Sequence, residues 1–249
     1  MSDVEAKETE IAAEALFVER GARTVLRGVD IAVVRGEVLG VLGPSGSGKS
    51  TLFQALAGET DVVSGRVTFR GADVTTQTLW QRAGLGLGYM PQEPSVFWDL
   101  TVRQNLALFA QVRRTPARPT LAEEVGLDER LDVPARSLSA GERRRLEFAR
   151  AVTGSPTVLI CDEPFAGVDP IGAERLGQML AKLAATGVAV LLADHHVEEA
   201  LSVCTRALLL LDGEVAAAGT PEEFRNHPTV QGRYLGTWRR SLPPPRPTA

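Results

Sequence analysis

Lysine is almost missing from this sequence: of 27 basic residues only Lys7, Lys49 and Lys182 are lysine, and the rest are arginine. Cysteine is scarcer still. Cys161 and Cys204 can build neither a disulfide scaffold nor a four-ligand zinc site, and both stand in apolar or helical sequence, which suits a reducing compartment. No run reaches the ~18 apolar residues of a membrane span. The acidic start (Ser2, Asp3, Glu5, Glu8, Glu10) lacks the basic-then-apolar order of a signal peptide. A soluble chain with no direct membrane insertion is expected. A basic excess is absent too: the net charge is −4 and the pI near 5.5, so bulk electrostatics offer nothing to nucleic acid and no such partner is expected.

What remains is a globular composition, 44% hydrophobic and 23% charged over 249 residues. At this length about 70% of the unfolded surface can be buried, so a full core is available. Short apolar runs ended by Gly or Asp at 29–34, 38–42, 67–69, 87–90, 158–161, 188–193 and 207–211 predict strands. Those at 38, 158 and 188 are apolar at consecutive positions, as strands buried on both faces of a parallel sheet are. Helical patterns at 49–57, 102–111, 139–152, 170–184, 197–203 and 221–225 alternate with them, which implies right-handed crossovers. Between residues 92 and 153 the strand signal disappears, leaving helices and an Arg/Pro-rich linker at 113–119. The expectation is an α/β core (14–91 and 154–236) with an inserted helical subdomain (92–153). Mobile tails are expected at 1–13 and at 239–249, the latter rich in proline.

Residues 43–50 read GPSGSGKS, matching G-x-x-x-x-G-K-[ST], directly after a predicted strand and before a predicted helix. Gly43, Pro44, Ser45, Gly46, Ser47 and Gly48 form a loop whose glycines let successive N–H groups point inward at phosphate oxygens. The following helix presents its positive end to the same place. In a chain that otherwise uses arginine, Lys49 is a compact ammonium able to reach the β and γ phosphates. Ser50 is the expected Mg²⁺ ligand, with Thr51 beside it.

The run at 157–163, TVLICDE, is an apolar strand ending in two acids. On extended backbone neighbouring side chains diverge, so Asp162 can hold Mg²⁺ while Glu163 orients and polarises an attacking water. Gln92, after the strand at 87–90, is uncharged and suited to bridging Mg²⁺ and water. Two of the three histidines, His195 and His196, follow the buried strand at 188–193, at the carboxyl end where ligands sit in open parallel sheets. His195 is the expected γ-phosphate contact, with His196 pointing elsewhere. Ser139, Ala140, Gly141 and Glu142 spell a capping box at a helix start. Its rival reading is that the helix-start N–H groups, loosened by Gly141, bind a phosphate held by another subunit.

Taken together these residues resemble the ATP-binding-cassette ATPases over roughly 15–236, with the motifs in family order: GPSGSGKS as Walker A, Gln92 in the Q-loop, LSAGE as signature, LICDE as Walker B, Val168 and Asp169 as D-loop, and His195 as switch histidine. The resemblance implies a RecA-like P-loop NTPase fold with a mainly parallel sheet, an N-terminal antiparallel β subdomain and the helical insertion. It also implies a head-to-tail homodimer sandwiching two ATP with Mg²⁺, each nucleotide contacted by the signature of the other copy. Ala140 stands where the family usually has Gly. The aromatic that stacks on adenine aligns with about Arg20, whose guanidinium could take that role, as could Phe17. Within the family, the runs at 138–151, 162–170 and 193–204 look like the ATPases of lipopolysaccharide export. These sit on the cytoplasmic face of the inner membrane. Branched-chain amino-acid importer ATPases are the alternative, sharing the GTPEE and YLG endings; a non-transport cassette is the alternative of another class, and a P-loop kinase explains neither SAGE nor His195.

A transport ATPase without a span must grip separate permease subunits. Phe97 and Trp98 lie in a turn-rich stretch after Gln92, where apolar exposure suggests a socket for a transmembrane partner. The other reading packs both rings beneath the helical insertion.

Overall fold

The computed structural model describes residues 8–116 and 118–236. Its strands are β1 (Thr9–Arg20), β2 (Arg23–Val34), β3 (Val38–Leu42), β4 (Ser64–Phe69), β5 (Ala72–Asp73), β6 (Leu87–Met90), β7 (Val158–Asp162), β8 (Ala189–Ala193), β9 (Arg206–Leu211) and β10 (Glu214–Gly219). Among the helices are α1 (Lys49–Ala57), α2 (Leu79–Leu85), α3 (Val102–Val112), α4 (Leu121–Glu124), α5 (Ala140–Val152), α6 (Pro170–Ala185), α7 (Val197–Val203) and α8 (Pro221–Asn226).

The strands form two sheets. One, in the order β2-β1-β4-β5, is antiparallel; the other, β10-β9-β3-β8-β7-β6, is parallel except for β10 at its edge. Every residue of β3, β7 and β8 is buried. Alternate side chains separate two cores: Leu39, Val41, Ile160 and Leu191 pack with Leu52, Phe53 and Leu56 of α1 and the inner face of the antiparallel sheet. Val38, Leu42, Leu159 and Leu192 pack on the opposite face with α5 to α8. Each fully buried side chain of this kind contributes about 1.5–3 kcal/mol, so the two cores hold the sheet edge rigidly.

The tail expected at 1–13 is corrected at its inner end, since residues 9–13 belong to β1, where Ile11 and Ala13 are buried. The strand escaped its pattern because a bulge at Ala15 (φ +45°), held by its N–H donating to Asp30 Oδ1 at 2.8 Å, breaks the alternation. The tail at 239–249 lies outside the described residues. Among the described residues of 92–153 stand α3, α4, α5 and two 3₁₀ turns, with one bridge between Thr101 and Pro134.

Parallel register positions the site. Met90 lies opposite Cys161, Asp162 opposite Ala193, and Ala193 opposite Val41. The loops that follow β6, β7, β8 and β3 therefore leave the sheet at one carboxyl edge, where an open parallel sheet takes its ligands.

Candidate nucleotide site

The loop at 43–48 closes on itself through Ser47 N–H donating to Pro44 O (3.2 Å), and Gly213 N–H donates to Ser47 O (3.2 Å). Gly43 has no substitute, because a Cβ there would stand 2.2 Å from Leu210 O. Gly48 starts α1 at φ +108°, a left-handed entry that glycine adopts without strain. Lys49 folds back over the loop, its ammonium donating to Gly43 O (2.7 Å) and Pro44 O (3.0 Å). Burial pushes its pKa down, opposed by Glu163, Asp162 and Asp194.

Asp162 is almost fully buried at the tip of β7. Burial raises its pKa to about 6 against a hydrogen bond from Ser50, with Glu163 adding repulsion and Lys49 attraction. Glu163 departs from the expected extended backbone. It has left the strand at φ +51°, held by its N–H donating to Ala193 O at 2.7 Å. Such a conformation costs a non-glycine residue about 1–3 kcal/mol and persists only where neighbours impose it. It takes Glu163 out of the strand's alternation, and the residue borders the cleft beside the phosphate loop.

A cleft of about 430 Å³ is lined by Ser45, Gly46, Gly48, Ser50 and Thr51, with Lys49, Gln92, Glu163 and His195 facing them. Gln92 is exposed here, and its loop is gripped from behind by α5. Arg144 donates to Gln92 O (3.0 Å), Glu147 accepts from Ser95 N–H (3.0 Å), and Arg144 pairs with Glu147 at 2.8 Å. Arg150 donates to Ser95 O. Nothing local in the sequence singled out these three side chains, because their partners lie about fifty residues away. Asp194 was likewise missed: fully buried after β8, it accepts from Phe165 N–H and His196 N–H at 2.9 Å each and lies 2.7 Å from His196 Nδ1. His195 Nδ1 lies 3.6 Å from Glu163 Oε2.

Two atoms bear on whether this edge suits a magnesium nucleotide. Ser47 Oγ and Asp162 Oδ1 are buried with no hydrogen-bond partner. Ser50, Asp162 and the Gln92 amide give an all-oxygen donor set, which is what a hard divalent cation takes, beside a glycine loop suited to phosphates. The residues fit.

Other expected positions fall elsewhere. Ser139 caps α5 reciprocally with Glu142 (3.2 and 2.8 Å), so the capping box is real. Ser139 is exposed and Ala140 half-buried, but Gly141 is buried beside Val168 and Asp169 of its own chain, where a Cβ would stand 3.6 and 3.9 Å from them. Gly141, expected to loosen this helix start, is covered by the loop before α6. Asp169 caps α6, accepting from Gly172 N–H at 2.9 Å. Arg20 does not border the phosphate cleft. Gln54 of α1 takes its guanidinium, and it lines a second groove of about 800 Å³. That groove runs along the seam between the core (Trp80, Tyr89) and the insertion (Phe109, Val112, Arg150). Phe97 and Trp98 keep 44% and 43% of their surface exposed, with Arg150 over the Phe97 ring and Arg143 over the Trp98 ring, each at 5.1 Å.

A phosphate loop with an acidic strand tip, both at the carboxyl edge of a parallel sheet, defines a nucleotide hydrolase of the P-loop class. Residues 26–166 match the ABC transporter family. The lipopolysaccharide export system ATP-binding protein LptB of Acidithiobacillus ferridurans is 40% identical over 230 residues, covering 90% of this chain and 95% of that protein. LptB of Escherichia coli K12 is 39% identical over 221 residues, covering 86% and 92%. The ADP conformation of an ATP-binding cassette of an ABC transporter superposes with a TM-score of 0.82 at 26% identity, covering 92% of this chain and 99% of that one. This chain belongs to the ATP-binding subunits of that family and is an ABC ATPase. Among the described residues no helix is long and apolar enough to cross a membrane.

Proposed function

We propose that this chain is the ATP-hydrolysing motor of a transporter that extracts lipopolysaccharide from the inner membrane, acting as a homodimer on the cytoplasmic face. The convergence of Lys49, Ser50, Gln92, Glu163 and His195 on one cleft carries the hydrolase part. The names of the LptB relatives, at about 40% identity over nearly their whole length, support the cargo.

In this reading the 43–48 loop and Lys49 bind the β and γ phosphates, and Ser50, Asp162 and Gln92 hold Mg²⁺. Bound there, the ion would neutralise charge on the phosphate oxygens. Glu163 holds a water in line with the γ-phosphorus and accepts its proton as the new P–O bond forms and the bond to the β-phosphate oxygen breaks. His195 donates to the γ-phosphate. The partner copy, packed head to tail, brings the exposed Ser139 and the half-buried Ala140 at the start of its α5 to the same nucleotide, with Asp169 at the interface. Arg144, Glu147 and Arg150 tie the Gln92 loop to α5, and Arg150 also covers Phe97. A change at the γ-phosphate thereby reaches the exposed rings and the neighbouring groove, where the permease subunits dock.

Affinity purification of the tagged chain from detergent-solubilised membranes tests the assignment. The complex, returned to vesicles, is expected to release lipopolysaccharide on ATP addition, and Phe97→Ala or Trp98→Ala to lose the membrane subunits while the isolated chain keeps its ATPase rate. Amino-acid uptake by the complex would refute the cargo; equal co-purification of both variants would refute the socket.

A further inference from the structure

His196 has no part in the hydrolysis scheme, yet it is not a solvated surface residue. Asp194, His195 and His196 form a cluster whose ligating atoms lie within 4.8 Å of one another. His195 Nδ1 and His196 Nδ1 approach the same oxygen, Asp194 Oδ1, at 3.7 and 2.7 Å, and Glu163 Oε2 lies 3.6 Å from His195 Nδ1. Around a zinc-sized ion with bonds near 2.0–2.1 Å, tetrahedral donors stand about 3.3 Å apart, so these separations bracket the requirement. The 2.7 Å pair must open by roughly half an ångström to admit the ion.

The surroundings favour occupancy. Asp194 is fully buried and oriented by the N–H groups of Phe165 and His196, the outer-shell support that ligating carboxylates need. Three carboxylates (Asp162, Glu163, Asp194) act on one ammonium, Lys49, leaving an excess of negative charge. The histidine rings lie 4.1 Å apart, and His195 is 58% exposed, giving an entry path. Imidazole nitrogens select against Mg²⁺, which prefers oxygen, and for borderline-soft divalent ions.

We propose that Glu163, Asp194, His195 and His196 bind a borderline-soft divalent cation of the Zn²⁺ type, and that the bound ion withholds His195 and Glu163 from the phosphate cleft and stops hydrolysis. Each ring binds as a neutral imidazole through its Nδ1 lone pair, with its single proton carried on Nε2, so binding leaves no unbalanced proton. Inhibition rests on the hydrolase reading; binding does not.

The test titrates Zn²⁺, with Co²⁺ as its visible-absorbing surrogate, into the nucleotide-free full chain by calorimetry and absorption. The parent is expected to bind one Zn²⁺ per chain, unaffected by millimolar Mg²⁺. His196→Asn keeps the backbone N–H to Asp194 but removes a direct ligand, so it should bind more weakly by more than the roughly 10–100-fold of a lost supporting partner, with an unchanged Tm. In Mg²⁺-ATP assays Zn²⁺ should inhibit the parent, whereas His196→Asn hydrolyses at the parental basal rate and resists inhibition by the same factor. No zinc binding, or equal binding by the variant, overturns the site; binding without inhibition overturns the withholding of His195 and Glu163. A parent that binds zinc through His196 but never hydrolyses ATP upholds the site and removes the hydrolase reading instead.

Discussion

Asp162→Asn should stabilise the nucleotide-free protein. A carboxyl held in the fold with a pKa of about 6 rather than 3.8 is an anion that the fold disfavours, and its dominant cause is burial at the tip of β7. At 1.36 kcal/mol for each tenfold change in proton affinity the penalty at neutral pH is about 3 kcal/mol. Asparagine removes the charge and keeps the shape, though its amide must still find partners, so a gain of about 1–3 kcal/mol is expected. For a chain of this size that is a Tm rise of roughly 3–9 °C. The sign fixes the pH window. Between about 3.8 and 6 the folded state holds the proton that the unfolded state has lost, so the penalty is complete above about 6 and absent below about 3.8. Thermal unfolding of both proteins from pH 4 to pH 8 should show curves that separate progressively from about pH 4 to about pH 6. Adding Mg²⁺-ATP should then stabilise the parent and leave the variant nearly unmoved. A variant no more stable than the parent at pH 7.5, or a gap that does not shrink in acid, would refute the burial argument.

Lys49→Ala removes the ammonium from the 43–48 loop, and calorimetry should find ATP affinity reduced at least about a hundredfold, as expected when charge-assisted contacts worth about 3 kcal/mol are lost. Arg82→Met should cost about 3 kcal/mol, because the buried guanidinium is the donor to Ala55 O and Leu56 O at the end of α1 and to Thr75 O and Gln77 O nearby. Chemical denaturation would detect it, and a loss under 1 kcal/mol would contradict the cap.

Where apolar runs and their punctuation are local, the chain could be read closely: 49–57, 87–90 and 197–203 are α1, β6 and α7 to the residue. β1 was hidden by its bulge, and β10 by being an edge strand of small residues, Ala216 to Ala218, held by its neighbour rather than by β-propensity. α2 buries only Arg82, so no apolar stripe announced it, although Thr78 and Gln81 carried a capping-box signal. In the site, residues that meet a ligand from a strand end were legible by type and spacing. The supports were not: Asp194 is a buried acid that composition does not distinguish from a solvated one, and Arg144, Glu147 and Arg150 read as the polar face of a helix. That the residues before α6 cover Gly141 is a tertiary fact which the SAGE run does not carry.

Whether the cleft is a hydrolytic centre turns on Glu163, whose strained backbone carries it out of the strand. The decisive measurement compares Mg²⁺-ATP affinity and phosphate release for the parent and Glu163→Gln at saturating nucleotide. Affinity is expected within a few-fold of the parent, turnover lower by about 10²–10⁴-fold, and a nucleotide-bound dimer should accumulate. Phosphate release by Glu163→Gln at the parental rate would contradict the account.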